Sequence, residues 1–403
     1  MISLEINRKS LVENVHVCID ENLIKTLIEE YVKMAKSITK NSNVTNMRNL
    51  LKQQLNTDSN NKTTSEEFSQ VTEMAMNIKE FYQKNGTYRL MDNGQDSILN
   101  NQLGWYTFQS WKLQNDKKYL ANEISHRFYI NASSKELPEL MKSLIQIYSG
   151  MNVPFYFKVN CNAQLGTRDA IVLYSSTEQL DNTLSVLSQI EKNIPEIISK
   201  IGTPHILTGN INNWVGYASE NKLLQGQDSY TGIMCNNCIK AFEKSVLDWI
   251  KENPSYTVSH EGKNIPLNEY FNSSLKDDSN KDYMQIMSDH YNYVFRMGHL
   301  LAVLPQVDSS FNSRIVTNLK QFVSQNHIDP NNICFNSDVL KELSLLSQKE
   351  VIRNHQKNSM QELREMFSEM YNEPGSMYDN QKRDGTRAND MDLPIQSPSG
   401  IRR

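Results

Sequence analysis

The spacing of apolar and polar positions changes period along the chain. Over residues 10–40 the apolar positions recur at helical spacing, and Leu23, Leu27, Tyr31 and Met34 fall on one face. The stretch "NTDSNNKTTSEE" (56–67) is polar and aperiodic and predicts a loop. Thr64 or Ser65 is then placed to cap a helix through "EEFSQVTEMAMNIKEFYQKNG", with Gly86 as its stop. In "GWYTFQSWK" (104–112), Trp105, Phe108 and Trp111 stand at i, i+3 and i+6. That helical stripe is expected to serve core packing or a domain seam, with a peptide groove as its other use.

From about residue 120 the texture is different. "NEISHRFYINAS" alternates as a strand does, and "SKELPELMKSLIQIYSG" reads as a helix ending at Gly150. Two short strands follow in "VPFYFKVNCNAQLGTRDAIVLYSS" (153–176), then a helix through "STEQLDNTLSVLSQIEKNIPEIISKIG" with a bend at Pro195. "TPHILTGN" and "WVGYASE" are short strand candidates, and "NNCIKAFEKSVLDWIKENP" is a helix stopped by Pro254. Three more helices are expected across 281–350. The order predicts an α+β fold: a mostly antiparallel sheet with helices packed on one face. We expect an N-terminal helical module for partner or leader binding (1–118), the α+β domain with its C-terminal helices (119–350), and a helical, then disordered polar tail (351–403).

Composition narrows the function classes. The 403 residues include 38% hydrophobic and 22% charged residues, with a formal net charge of -4 and a mean hydropathy of -0.58. A protein that neutralises nucleic-acid phosphates should show a basic face, which this balance does not favour. No apolar run approaches a membrane span, and "MISLEINRKS" lacks the pattern of a Sec signal peptide. The odd set of cysteines, Cys18, Cys161, Cys235, Cys238 and Cys334, does not describe a disulfide framework and points to a reducing compartment.

Candidate chemistry lies in the strands. Alternation puts Arg127, Tyr129 and Asn131 on one face of "HRFYIN" and His126, Phe128 and Ile130 on the other. In "PFYFKV", Phe155, Phe157 and Val159 share a face opposite Tyr156 and Lys158. If the two strands are neighbours, their polar faces line one surface, and a solvated sheet face is the plain reading of it. The chemical reading starts from Lys158. A lysine acts as a base only when desolvation or nearby cations lower its pKa. Arginines beside it do that and also hold an anionic leaving group through bidentate hydrogen bonds. Such a set is suited to taking a Cα proton and expelling phosphate.

The ordered segments "RFYIN…PFYFKV…TRDAIVLYS…TPHILTG…WVGYASEN…DSYTG", across about residues 120–245, resemble the Hop A type III effector family. The same domain occurs as the lyase subunit of class V lanthipeptide synthetases. The resemblance implies an α+β fold akin to the phosphothreonine lyases. For the lanthipeptide branch it implies elimination of phosphate from phosphoserine or phosphothreonine, without a cofactor. Carried onto this chain, Lys158 is the base, and Arg127 and Arg168 bind phosphate. Tyr129, Asn131, Tyr156, Glu220, Ser229 and Tyr230 complete the expected substrate site. The basic residue that usually follows the Ser229–Tyr230 pair is replaced by "TGIMCNN". The acid that protonates the leaving phosphate is His126, Tyr129 or Tyr156, unless phosphate leaves as an arginine-stabilised anion. By alternation His126 points away from Lys158.

Other motifs carry less. Cys235-Asn-Asn-Cys238 is a CxxC at the start of an expected helix, but no second CxxC or paired histidines accompany it, so no metal site is expected. His290 and His299 are too far apart for a metal pair on one helix. "QELREMFSEMYNE" (361–373) is a solvated helix, a partner-docking helix or part of a secretion signal. Two functions fit. One is a phosphoserine/phosphothreonine lyase acting on a peptide in the bacterial cytoplasm, with a peptide kinase as partner. The other is a virulence effector, delivered into a host cell with the help of a secretion chaperone, that acts by binding a host protein.

Overall fold

The computed structural model describes residues 7–38, 47–58, 73, 105–109, 124–160, 167–220, 229–260, 262–272, 283–346, 349 and 357–361. The helix expected over 66–86, both expected domain boundaries, the glutamate-rich stretch beyond Gln361 and the C-terminal tail fall outside them. Residues 1–345 form one compact unit and 346–403 a second.

The N-terminal apolar pattern resolves into helices with local stops. α1 (Arg8–Asn14) is closed by a capping box between Asn7 and Ser10. α2 (Glu21–Ser37) begins where the Asp20 side chain accepts from the Leu23 amide, and it buries Ile24, Leu27, Ile28, Tyr31, Met34 and Ala35. α3 (Met47–Asn56) follows, burying Leu51 and Leu55.

β1 (Trp105–Gln109), β2 (His126–Ile130), β3 (Tyr156–Asn160), β4 (Ile171–Ser175), β5 (Gly209–Ile211) and β6 (Val215–Ser219) form one antiparallel sheet in the order β1-β3-β4-β2-β6-β5. The stripe at Trp105 is therefore a strand rather than a helix. Period-2 alternation sends Phe108 to one face, where it stacks on Phe157 with ring centroids 4.9 Å apart, and Trp105 to the other.

α4 (Leu137–Gly150) and α5 (Leu180–Asn193) cover the first face, packing on Phe128, Phe157, Leu173 and Tyr217. α5 stops at Ile194 because the residue before a proline is pushed out of the helical region, and α6 (Pro195–Ile198) restarts the chain. The second face, with Tyr129, Val172 and Ala218, is covered in its turn. Its cover comes from α2, α3, α7 (Tyr230–Glu252), α9 (Tyr283–Val307) and α10 (Phe311–Gln325). The α+β class and antiparallel sheet match the expectation, but the helices lie on both faces instead of one. Both faces of the sheet carry apolar residues, and each must be covered. A small hairpin, β7 (Thr257–His260) with β8 (Lys263–Pro266), leads into α8 (Leu267–Asn272), and a further helix begins at residue 337.

α7 starts earlier than its sequence pattern suggests, because Ser229 caps it by accepting from the Gly232 amide (3.2 Å). Cys235 and Cys238 consequently lie inside the helix, fully buried, and burial pushes the Cys238 thiol well up. A helix start no longer favours a reactive thiolate there.

Candidate functional site

β4 lies between β2 and β3, so the two predicted strands share a face without being neighbours. Backbone register sets Arg127, Tyr174 and Tyr156 in one row across β2, β4 and β3, and Tyr129, Val172 and Lys158 in the next. Tyr156 and Tyr174 stack with centroids 4.6 Å apart. The Lys158 Nζ sits 4.1 Å from the Trp105 ring centroid and 5.8 Å from that of Tyr174. The Arg127 guanidinium lies 5.0 Å over the Tyr174 ring. Tyr174 is thus the aromatic floor between two cations.

Lys158 is only partly exposed, and burial lowers its pKa to about 8. The Arg127 charge and Lys52 of α3 push the same way, while Asp169 and Glu220 oppose them. At neutral pH about a tenth of such an amine is unprotonated, far more than for an ordinary lysine, and a general base acts through that form. Arg127 forms an ion pair with Glu220, which is buried at 7% side-chain exposure. Burial works against the Arg127 charge, but Tyr129, Glu220 and Tyr174 outweigh it and hold the guanidinium protonated. Burial raises the Glu220 carboxyl above its ordinary value, and Arg127 and Lys158 offset only part of that rise. Burial also raises the Tyr129 and Tyr156 hydroxyls, so both keep their protons. The Arg127 Nε is buried without a hydrogen-bond partner among the described residues.

The structure thus brings Lys158, Arg127, Tyr129, Tyr156 and Glu220 to one face. Arg168 is engaged elsewhere: it donates to the Thr203 carbonyl (3.2 Å) and hydroxyl (2.8 Å), with Asp58 4.0 Å away. Arg127 and Arg168 therefore do not form the expected joint clamp, because each already has its own partners. Asn131 is buried in that second network, donating to Asp58 (2.9 Å) and to the Thr203 carbonyl (2.8 Å). Ser229 caps α7 and accepts from the Lys52 Nζ (2.9 Å). The buried Tyr230 hydroxyl bridges the carbonyls of Leu207 (2.8 Å) and Ile333 (2.7 Å), a packing role. His126 lies on the opposite, helix-covered face, fully buried between the Tyr217 hydroxyl (2.8 Å) and Thr177 (3.3 Å). It is not brought to Lys158, because adjacent strand residues point to opposite faces.

Tyr174, Trp105, Asp169 and Lys52 join the site although none of them belongs to the set expected from the strand motifs. Alternation within "IVLYS" sets Tyr174 apart from Leu173, and that signal was readable. Lys52 was not, since only tertiary packing brings α3 to the sheet. Among the described residues no group of three or more His, Cys, Asp or Glu is placed to hold a metal ion, and no helix is long and apolar enough to cross a membrane.

An antiparallel sheet covered by helices, with a desolvated lysine and an ion-paired arginine on one face, defines an α+β protein with a candidate anion-handling site. Residues 100–234 match the HopA1 effector protein family, in line with the resemblance drawn from the strand motifs. Two solved structures are similar in arrangement. One is an effector protein from Pseudomonas syringae pv. tomato strain DC3000, at 11% identity and a TM-score of 0.43, covering 77% of this chain and 96% of that one. The other is an effector protein from Pseudomonas syringae pv. syringae strain 61, at 10% identity and a TM-score of 0.39, covering 79% of this chain and 99% of that one. No curated protein matches the chain.

Proposed function

We propose that the chain is a type III effector-like protein that works on a host protein through the Lys158 face of its sheet. The chemistry we assign there is β-elimination at a phosphorylated Ser or Thr. The Lys158 amine takes the Cα proton, the electron pair forms the Cα–Cβ double bond, and the Cβ–O bond breaks with phosphate leaving. Dehydroalanine or dehydrobutyrine remains. Tyr129 and Tyr156, protonated and on the same face, are the candidate acids. The supporting observation is the Lys158 pKa of about 8, set by burial and by Arg127.

A second reading, recognition without turnover, draws on the family match and on the Arg127–Glu220 pair, which commits one terminal nitrogen of the guanidinium to a carboxylate. In either reading the protein acts inside a host cell, and a secretion chaperone is its expected partner. A role in peptide maturation would instead pair it with a peptide kinase in the bacterial cytoplasm.

The test is mass spectrometry of phosphoserine and phosphothreonine peptides incubated, free of metal, with the full chain and with Lys158→Ala. Loss of phosphoric acid that is absent with the variant supports elimination. Loss of phosphate with the hydroxyl restored means hydrolysis and removes the mechanism. Unchanged peptides that nonetheless bind favour recognition.

A further inference from the structure

The turn over residues 203–208 holds a group that the Lys158 chemistry leaves unused. His205 is 1% exposed, and the Leu207 amide donates to its Nδ1 (3.1 Å), so the neutral ring carries its proton on Nε2. That Nε2–H is buried and meets no acceptor among the described residues. A buried donor left without a partner loses its hydration and gains nothing in return, so an orphan of this kind calls for a ligand.

Three contacts locate the ring. Arg168 grips Thr203, two residues before it, and the Tyr230 hydroxyl grips the Leu207 carbonyl, two residues after it. Pro204 and Thr208 lie against Gly216, so closely that an added Cβ would stand 2.5 Å from the Thr208 Oγ1 and 3.0 Å from the Pro204 Cβ. Gly216 is the register partner of Tyr129, so the turn covers the same sheet face that carries Lys158. Lys52 reaches this place from α3 by donating to Ser229 at the start of α7, and it makes no ion pair with a described residue. Burial, then Arg168 and Lys52, lower the His205 pKa to about 3, which keeps the ring a neutral donor. The nearby acids are engaged: Asp58 with Asn131 and Arg168, and Asp169 with the Asn56 amide (2.6 Å).

We propose that Lys52 and the Nε2–H of His205, beside the N-terminus of α7, form a binding site for a phosphate monoester. A cation without an ion-pair partner among the described residues, an uncommitted buried donor and a helix start are together suited to a dianionic oxyanion. The proposal rests on the phospho-lyase reading and deepens it. The phosphate of the substrate sits at Lys52 and His205, with Arg127 remaining on Glu220. Lys52 also acts on Lys158, so the site adjoins the base.

The test is a titration of the full chain, labelled with 15N-histidine, with inorganic phosphate and with phosphoserine. A saturable shift of the His205 Nε2–H resonance is expected. Lys52→Met should weaken binding tenfold or more, with Lys52→Gln as a second variant and the circular dichroism of both unchanged. An unshifted His205 in the wild type, or undiminished affinity in a folded Lys52 variant, overturns the site. Phosphate binding through Lys52 and His205 without elimination from any phosphopeptide keeps the site and removes the lyase reading.

Discussion

Lys158 owes its chemistry to where its ammonium is placed. It projects from β3 among Trp105, Tyr174, Arg127 of β2, Lys52 of α3, Asp169 ahead of β4 and Glu220 after β6, and its pKa falls from 10.5 to about 8. The unfolded chain therefore binds more protons than the folded one between those values, and stability rises with pH across that window. Below about pH 8 the protonated lysine is a standing cost. Lys158→Met should then raise stability at pH 7 by about 1–3 kcal/mol, and denaturant titrations should show the gain fading toward pH 10. If elimination is observed, its rate should climb with pH to a plateau above about 8, the mark of a base that must lose its proton. Arg127 behaves oppositely. Glu220→Ala leaves a buried guanidinium unpaired and should cost roughly 3–5 kcal/mol, read from the shift in denaturation midpoint.

Among the elements, the strands were the most readable. "HRFYIN" and "PFYFKV" alternate cleanly, because one side of each strand meets α4 and α5 and the other presents polar and aromatic groups. The Trp105 stripe misled because aromatic residues three apart suit a helix period, while pairing with β3 decided for a strand. The start of α7 was missed for a related reason: apolar periodicity weakens over "SYTGIM", and the Ser229 cap fixes the boundary. Ser229→Ala should destabilise the chain by about 0.5–2 kcal/mol and release Lys52 from its hydroxyl partner, which thermal melts and phosphate titration together would register. At β6, Gly216→Val should push the 203–208 turn off the sheet, since Thr208 and Pro204 already crowd that position. Loss of the His205 resonance in its wild-type environment is the expected reading.

In the molecule as a whole, the N-terminal helices share a core with the helices that follow the sheet. Leu27 and Tyr31 of α2 belong to the same cluster as Phe242 of α7 and Leu300 of α9, and the Tyr31 and Phe242 rings meet edge to face at 5.7 Å. β1 supplies the sheet with an edge strand. A fragment starting at residue 119 should accordingly fail to fold, giving unfolded or aggregated material by circular dichroism and size exclusion. Leu27→Ala in the full chain should cost about 2–5 kcal/mol, the range for a buried leucine whose cavity cannot collapse.

Short-range patterning was enough to assign the α+β class, the break at Pro195, and the strand faces that set Arg127 with Tyr129 and Tyr156 with Lys158. Each of these depends only on the period of neighbouring residues or on a local steric rule. Strand order, the cover on the second face, the pairing of Arg127 with Glu220 and of Arg168 with Thr203, and the arrival of Lys52 beside Lys158 and His205 needed the folded chain. They join residues far apart in sequence, and no local period records which partner a charged side chain meets after helices and sheet have packed.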